Sequence, residues 1–458
     1  MRKALIGAVT VTAVLLAGCS TRSGDAPGTD PTRRTSPAAE ASADFGTLKD
    51  VCGPGTARSS STVQGVTDDT IQVGVLSDIG FTKRSEFVDA ATVFTSWCND
   101  AGGINGRDLV PVTRDARLTE VRRRVLEACK ADFALVGGGS ALDSLGVQDR
   151  LKCLLPNFPS QSSQIGAIGS DLQALASGPT AGYFQYAGYY SWLLKEKYPD
   201  SAQKVGIIAG DSPVTKVMAA QFEEAVDGLG GKVSFSDLYP APGVSDWTPY
   251  AQSIKKSGVR GLVFLGDFAS LAKLEQALTG IGYSPNWIDA NSNAYGPAFP
   301  QLAGTALDKQ HNYAELFATA PLESAADTPA VRQLTGLFEK YAPGRQVTYP
   351  ALRAISAWLL FATAARDCAE ITRKCVYENA MKNTDFTAGG LQAPFDLTSK
   401  EPPTCYSIVE ATAGGWQAAD FKPDQGAYRC DAPTYKYKGD HGAPATLADL
   451  GKSLSDLT

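Results

Sequence analysis

The chain has 458 residues, is 43% hydrophobic and carries a formal net charge of −6. Acids and bases are interspersed with no basic face, which argues against nucleic acid as a partner. With two histidines, no CxxC pair and no His at ligand spacing from a Cys, neither a zinc site nor another cofactor is expected.

At the N-terminus, Arg2 and Lys3 precede an apolar run over residues 4–18. At about 1.5 Å of rise per residue that run is too short to cross ~30 Å of hydrocarbon as a helix. It reads as a secretory signal. Leu16-Ala17-Gly18-Cys19 looks like a bacterial lipobox, so residues 1–18 are expected to be removed and Cys19 to carry acyl chains such as palmitate. The mature protein is then exported and lipid-anchored to the outer face of the cytoplasmic membrane. Residues 20–50 are rich in Ser, Thr, Ala, Pro and Asp, a composition that buries too little surface to offset ordering entropy. Residues 19–66 are therefore expected to be a flexible tether.

What remains, roughly 400 residues, suits two domains better than one core. From residue 70 strands and helices alternate: IQVGVLS (71–77) as strand, a helix near 85–101, DLVPVTRD as strand, LTEVRRRVLEACKA as helix, DFALVGGG as strand, a short helix near 141–150, and CLLPNFPS as strand. After residue 178 the pattern restarts with an aromatic-rich helix, GPTAGYFQYAGYYSWLLKEKY. Then come KVGIIAGD (strand), PVTKVMAAQFEEAVDGLG (helix), KVSFSDLYP (strand), a helix near 247–257, GVRGLVFLGD (strand), ASLAKLEQALTGIG (helix) and NWIDAN (strand). Helices near 327–341 and 349–367 follow, the second containing AISAWLLFATAA between Arg353 and Arg366, which reads as a buried helix. The strand-like CYSIVEA and GGWQAADF close the pattern. The fold class is α/β: two Rossmann-like lobes with parallel sheets and a cleft between them.

Eight cysteines remain after Cys19, and an even number outside the cytoplasm favours disulfides. Eight allow 105 connectivities. Closeness along the chain suggests Cys129–Cys153, Cys368–Cys375 and Cys405–Cys430, and by elimination Cys52–Cys98.

In open parallel sheets, ligands bind beyond the carboxyl ends of the strands. Those ends are Asp78, Ile79 and Phe81 after the first strand, Gly139, Ser140 and Ala141 after the third, and Ser160, Gln161 and Ser162 after the fourth. In the second half they are Asp211, Asp267 with Phe268, and Asn291. Glycine-rich turns, hydroxyls and helix N-termini at the third and fourth tips suit a carboxylate. Asp267 opposite them could accept from an ammonium group. Ser140 and Asp267 are equally at home as helix caps. An enzyme is not expected: GGGSALDS fits neither GxGxxG nor GxSxG, GLGGK is no P-loop, and no two acids stand out as a catalytic pair.

The stretch WCNDAGGINGRDLVPVTRDAR (97–117) resembles the AGGINGR element of type I periplasmic binding proteins, the branched-chain amino-acid-binding (Leu/Ile/Val) family of ABC importers. TIQVGVLSDIG before it fits as well, and so do LVGGGSA, LLPNFPSQS, GPTAGYF, KVGIIAGD and VFLGD after it. The resemblance covers roughly residues 68–425. It implies two lobes joined by three hinge strands, with crossings near 176–180, 312–320 and 390–397. Lobe 1 would be 68–178 plus 320–393, lobe 2 would be 179–319 plus 394–430, and 431–458 a C-terminal tail. It also implies a ligand carboxylate held by residues matching Gly139, Ser140, Ser160, Gln161 and Ser162, and an ammonium held by Asp267. The implied partners are a small solute and an ABC permease, the implied state a monomer. Two departures leave the ligand open: Asp78-Ile79-Gly80-Phe81 replaces a Gly-Pro turn, and Ser212-Pro213 stands where an aromatic is expected. An amino acid is the first choice, with an amide, small peptide, aromatic acid or unrelated solute as alternatives. A ligand sensor for a membrane receptor, or a scaffold without ligand, would use the same fold.

Overall fold

The computed structural model describes residues 43–55 and 63–458. The predicted signal peptide, Cys19 and residues 19–42 of the predicted tether lie outside the described residues. Among the described residues, no helix is long and apolar enough to cross a membrane.

The first sheet is built from β1 (Thr70–Ser77), β2 (Asp108–Asp115), β3 (Leu135–Val136) and β4 (Asn157–Phe158), all parallel, in the order β2-β1-β3-β4. Between the strands lie α1 (Ile79–Thr82) and α2 (Glu86–Asp100), then α3 (Val121–Ala131), then α4 (Ser144–Lys152). The turn from α2 into β2 is the AGGINGR element. Gly102, Gly103 and Gly106 have φ of 99°, 70° and 78°, conformations that a Cβ disfavours. β3 and β4 are shorter than predicted: the chain leaves β3 at its tip, and before β4 it is still turning out of α4, with Leu154 at φ 54°. Gly137 has φ 68°, and a Cβ there would meet Trp358 Nε1 at 2.2 Å.

The second sheet follows α5 (Ala187–Ser191). It contains β5 (Val205–Gly210), β6 (Val233–Tyr239), β7 (Gly261–Leu265), β8 (Trp287–Asp289) and β9 (Asn312–Glu315), all parallel. The connecting helices are α6 (Pro213–Gly228), α7 (Thr248–Ser257), α8 (Phe268–Gly280) and α9 (Ala298–Ala303). The chain then returns to the first sheet with α10 (Pro329–Tyr341), α11 (Tyr349–Arg366) and α12 (Arg373–Met381). It comes back to add β10 (Ile408–Thr412) and β11 (Gly415–Ala418) antiparallel beside β9, giving β11-β10-β9-β8-β7-β5-β6.

The chain thus passes three times between two α/β lobes. The second and third passages run side by side, with Thr319 bridging Gln392. The Gln392 amide donates to Ala176 O on the first passage at 2.8 Å, tying all three together. Helix α11 packs against α2, α12, β3 and β4 and is buried along nearly its whole length, as its apolar run predicts. Trp358 stacks on Phe94 with ring centroids 5.4 Å apart. A Trp→Ala cavity there costs about 3–5 kcal/mol.

Several expectations need correction. The aromatic stretch 178–198 is not one helix: it becomes helical only at Ala187 and continues as a π turn over Trp192–Lys197. Gly178, Pro179 and Gly182 oppose an earlier start, and the aromatics are placed by burial instead, Tyr189 and Tyr190 being fully buried. β9 lies where only a crossing was expected, and α12 was not foreseen. Residues 43–55 are not tether. Phe45, Val51 and Cys52 are inaccessible to solvent, and Arg366 donates to Gly53 O at 2.9 Å. A polar average composition masked these few apolar anchors. The four disulfides are the three suggested by chain proximity, Cys129–Cys153, Cys368–Cys375 and Cys405–Cys430, and the one left by elimination, Cys52–Cys98.

Residues 431–458 strap both lobes. Tyr435, Lys438, Gly439 and His441 bond to Glu224 on α6. Leu447 and Leu457 are buried beside Val147 and Leu151 of α4.

Candidate functional site: the cleft between the lobes

The tips of the first sheet carry the predicted donors, but the chain supplies its own acceptors for them. The Asp78 carboxylate, 7% exposed, accepts from Ser140 Oγ at 2.9 and 3.0 Å. It also accepts from the Ala141 N–H at 2.9 Å and the Leu118 N–H at 2.8 Å. At the fourth tip, Asp143 accepts from Ser162 Oγ at 2.9 Å and from the N–H groups of Ser163 and Gln164 at 2.8 and 3.0 Å. Burial pushes Asp143 up to about 6, against the pull of those hydrogen bonds. Ser160 Oγ donates to Pro350 O at 3.0 Å. Gly139 lines a small separate void of ≈ 30 Å³ inside lobe 1.

The larger opening between the lobes is a cavity of ≈ 320 Å³. Four residues from the sequence reading line it: Ala141, Gln161, Ser162 and Asn291. The rest of its character comes from residues the sequence reading missed. Tyr186, Phe317 and Tyr349 form an aromatic wall, with Phe317 and Tyr186 centroids 5.1 Å apart and Phe317 and Tyr349 stacked at 6.4 Å. Val214 and Met218 of α6, with Leu265 of β7, add apolar surface. Arg353 of α11, 3% exposed, closes the hinge side. Its Nε donates to Ser160 O at 3.0 Å, Nη1 to Tyr349 Oη at 3.1 Å and Nη2 to Ser177 O. Gln185 contributes a buried Oε1 without a partner. Phe317 and Asn291 have φ of 50° and 65°. A left-handed phenylalanine is unusual and persists only where its surroundings hold it.

The remaining predicted residues lie elsewhere. Asp267 accepts from the Ala269 N–H at 2.8 Å, capping α8, and its other oxygen pairs with Arg84 of lobe 1. It is thus a helix cap and half of a bond between the lobes, and it does not line the cavity. Arg84 also lies over the Phe268 ring, 4.0 Å from its centroid. Asp211 is exposed and pairs with Lys216 at 2.5 Å. Ile79 and Phe81 are on α1, with Phe81 62% exposed. Beneath the cavity, Asp289 accepts from Tyr190 Oη at 2.5 Å and the Asn291 N–H at 2.9 Å, and burial raises it to about 6. Burial, then the neighbouring Asp289, pushes Glu315 well above the carboxylate range.

The missed residues lie just before α5 (Gln185 and Tyr186), on α6 and β7 (Val214, Met218 and Leu265), on the second passage (Phe317) and on α11 (Tyr349 and Arg353). Arg353 at the edge of a long apolar helix was the one sequence signal for them, since a cation there must be buried against something.

A family model described as periplasmic binding protein matches residues 70–416. No curated protein matches the chain. Among solved structures it is similar to a fatty acid ABC transporter substrate-binding protein from Thermomonospora curvata, at 18% identity over 83% of this chain and 95% of that one, TM-score 0.65. It is also similar to a branched-chain amino acid ABC transporter from Thermus thermophilus with bound valine, at 17% identity over 77% and 96%, TM-score 0.63. A third is a branched-chain amino acid transporter substrate binding protein from Streptococcus pneumoniae in complex with isoleucine, at 19% over 76% and 98%, TM-score 0.58. At these identities the likeness carries the fold.

Proposed function

The chain belongs to the periplasmic binding protein family, and from that premise we propose that it is the capture component of an ABC importer. It takes a small organic solute into the cleft outside the cytoplasm and presents the closed form to a membrane permease. One observation carries the reading: a cavity of ≈ 320 Å³ is lined from both lobes, with Ala141, Gln161 and Arg353 on one side and Val214, Met218 and Leu265 on the other. That volume falls within the range of about 300–1,000 Å³ usual for small-molecule sites. A ligand touching both walls favours the closed form by its differential affinity. The solutes named for similar structures, a fatty acid, valine and isoleucine, share an apolar body and a carboxylate.

Cys19 is the proposed lipid anchor. Replacing it with Ala is expected to move the protein from the membrane fraction to the medium or the soluble fraction; continued membrane retention would remove the anchor. Capture itself is tested by thermal denaturation of the soluble mature chain against a broad solute panel. A ligand at about a hundred times its Kd adds about 2.7 kcal/mol of stability. A folded, ligand-free chain whose melting point moves with no solute contradicts the reading.

A further inference from the structure

The cleft's charge arrangement says which solute it takes, an inference that rests on the capture reading above. An α-amino acid brings a carboxylate and an ammonium group; this cleft is prepared for the first at an unexpected place, and for the second it offers no acid, only the unpartnered Gln185 Oε1. The predicted carboxylate cradle is already filled: Ser140 Oγ and the Ala141 N–H are spent on Asp78, Ser162 on Asp143, and Ser160 on Pro350 O. The predicted ammonium acceptor, Asp267, is spent on Arg84 and on the α8 cap. No carboxylate lines the cavity among the described residues.

Arg353 is the one charged side chain among those lining residues. A guanidinium has five N–H donors. Three are used, all on uncharged acceptors: Ser160 O, Tyr349 Oη and Ser177 O. Among the described residues no acid pairs with it. That leaves one N–H on each terminal nitrogen without a partner in the chain, and a carboxylate is the acceptor that guanidinium N–H groups bind most strongly. A buried cation without a counter-charge is costly, and an anionic ligand removes that cost. The single positive charge matches one carboxylate better than a doubly charged phosphate monoester. Next to it, Tyr186, Phe317, Tyr349, Met218, Val214 and Leu265 offer an apolar bed.

We propose that the solute is an apolar-bodied organic monocarboxylate without an α-ammonium group, its carboxylate bound by Arg353. Asp78 stands in permanently for the carboxylate that the strand tips would otherwise hold.

Calorimetric titration with matched probes tests this. Isocaproate is leucine without its amino group, hydrocinnamate is phenylalanine without its amino group, and isocaproamide is isocaproate without its charge. Isocaproate or hydrocinnamate is expected to bind at least about tenfold more tightly than its amino acid, and isocaproate at least about tenfold more tightly than isocaproamide. Arg353→Gln should abolish that preference for acid over amide, and Arg353→Lys should keep part of it. Because Arg353 also ties Ser160 and Ser177, the Gln variant could fail to fold; the acid–amide comparison in the wild-type chain stands without it. Tighter binding of leucine or phenylalanine, equal binding of isocaproamide, or no binding of either acid overturns the inference. Tighter binding of an amino acid, or a solute of another class found by native mass spectrometry in the purified chain, would leave capture standing while this assignment falls. Only a chain that binds nothing would remove both.

Discussion

The strand tips of lobe 1 and the hinge side of the cleft hold similar chemistry in opposite states of completion. At the tips, hydroxyls and backbone N–H groups converge on Asp78 and Asp143, and their bonds are made within the chain. At the hinge, Arg353 is as deeply buried, but its acceptors are uncharged and two of its donors are left over. A set of donors is a ligand site only where the fold leaves them unsatisfied. The first region is therefore complete within the chain and the second is not, although the donor-rich segments Gly137–Ala141 and Ser160–Ser163 looked the more ligand-like in the sequence.

The largest effect is expected from emptying the cradle. Asp78→Ala strands Ser140 Oγ and the N–H groups of Ala141 and Leu118 without an acceptor. The expected loss is about 3 kcal/mol in denaturant unfolding. Added formate should restore part of it, because a free carboxylate fits where the side chain was. A variant as stable as the parent would mean that the cradle is not filled by Asp78.

The pH dependence comes next in size. Asp143 is raised to about 6 by burial. A carboxyl raised in the folded state gives stability that is full below the unfolded value near 4 and is lost as pH rises through about 6. Glu224 on the C-terminal strap has the opposite sign. Although partial burial opposes them, bonds from the Lys438 and Gly439 N–H groups, Tyr435 and His441 lower it to about 2. Its contribution is present above the unfolded value near 4.5 and is lost as pH falls through about 2. Asp143→Asn should flatten the first slope, on the order of 1–3 kcal/mol in unfolding free energy between about pH 4 and 6. Glu224→Gln should flatten only the acid limb. A change on the wrong limb would show that the two carboxyls are misassigned.

The smallest effect is expected at the exposed bond between the lobes. Asp267→Ala or Arg84→Ala should change stability by about 1 kcal/mol or less, since the pair is largely solvated. Solute affinity in calorimetry should move only a few-fold. A collapse of affinity in Asp267→Ala alone would restore Asp267 as a ligand-binding residue.

The fold was largely legible because period and punctuation agree. IQVGVLS, VGIIAG and GLVFL are short apolar runs ended by tip residues, and AGGINGR contains the three glycines that the α2–β2 turn requires. Three disulfide pairs followed from chain proximity and Cys52–Cys98 from elimination. What composition concealed was position-specific. Phe45, Val51 and Cys52 anchor a segment whose average is polar, and the tail's Tyr435, Leu447 and Leu457 do the same at the other end. The site was legible only in part. Strand ends are visible in sequence, and of the residues named there Ala141, Gln161, Ser162 and Asn291 line the cavity. Whether a donor is already satisfied depends on contacts between distant residues, such as Asp78 with Ser140 or Arg353 with Ser177, which no local pattern encodes. The aromatic wall draws on Tyr186, which the sequence placed in an aromatic-rich helix, and on Phe317, which it placed in a crossing strand, and neither stands at a strand end.

The most direct test is a crystal structure of the protein with whichever of the two acids, isocaproate or hydrocinnamate, binds more tightly. The ligand carboxylate is expected on the terminal nitrogens of Arg353, its body against Tyr186 and Phe317, with Asp78 still bonded to Ser140 and Ala141. A ligand carboxylate on Ser140 and the Ala141 N–H, with Asp78 displaced, would contradict that placement.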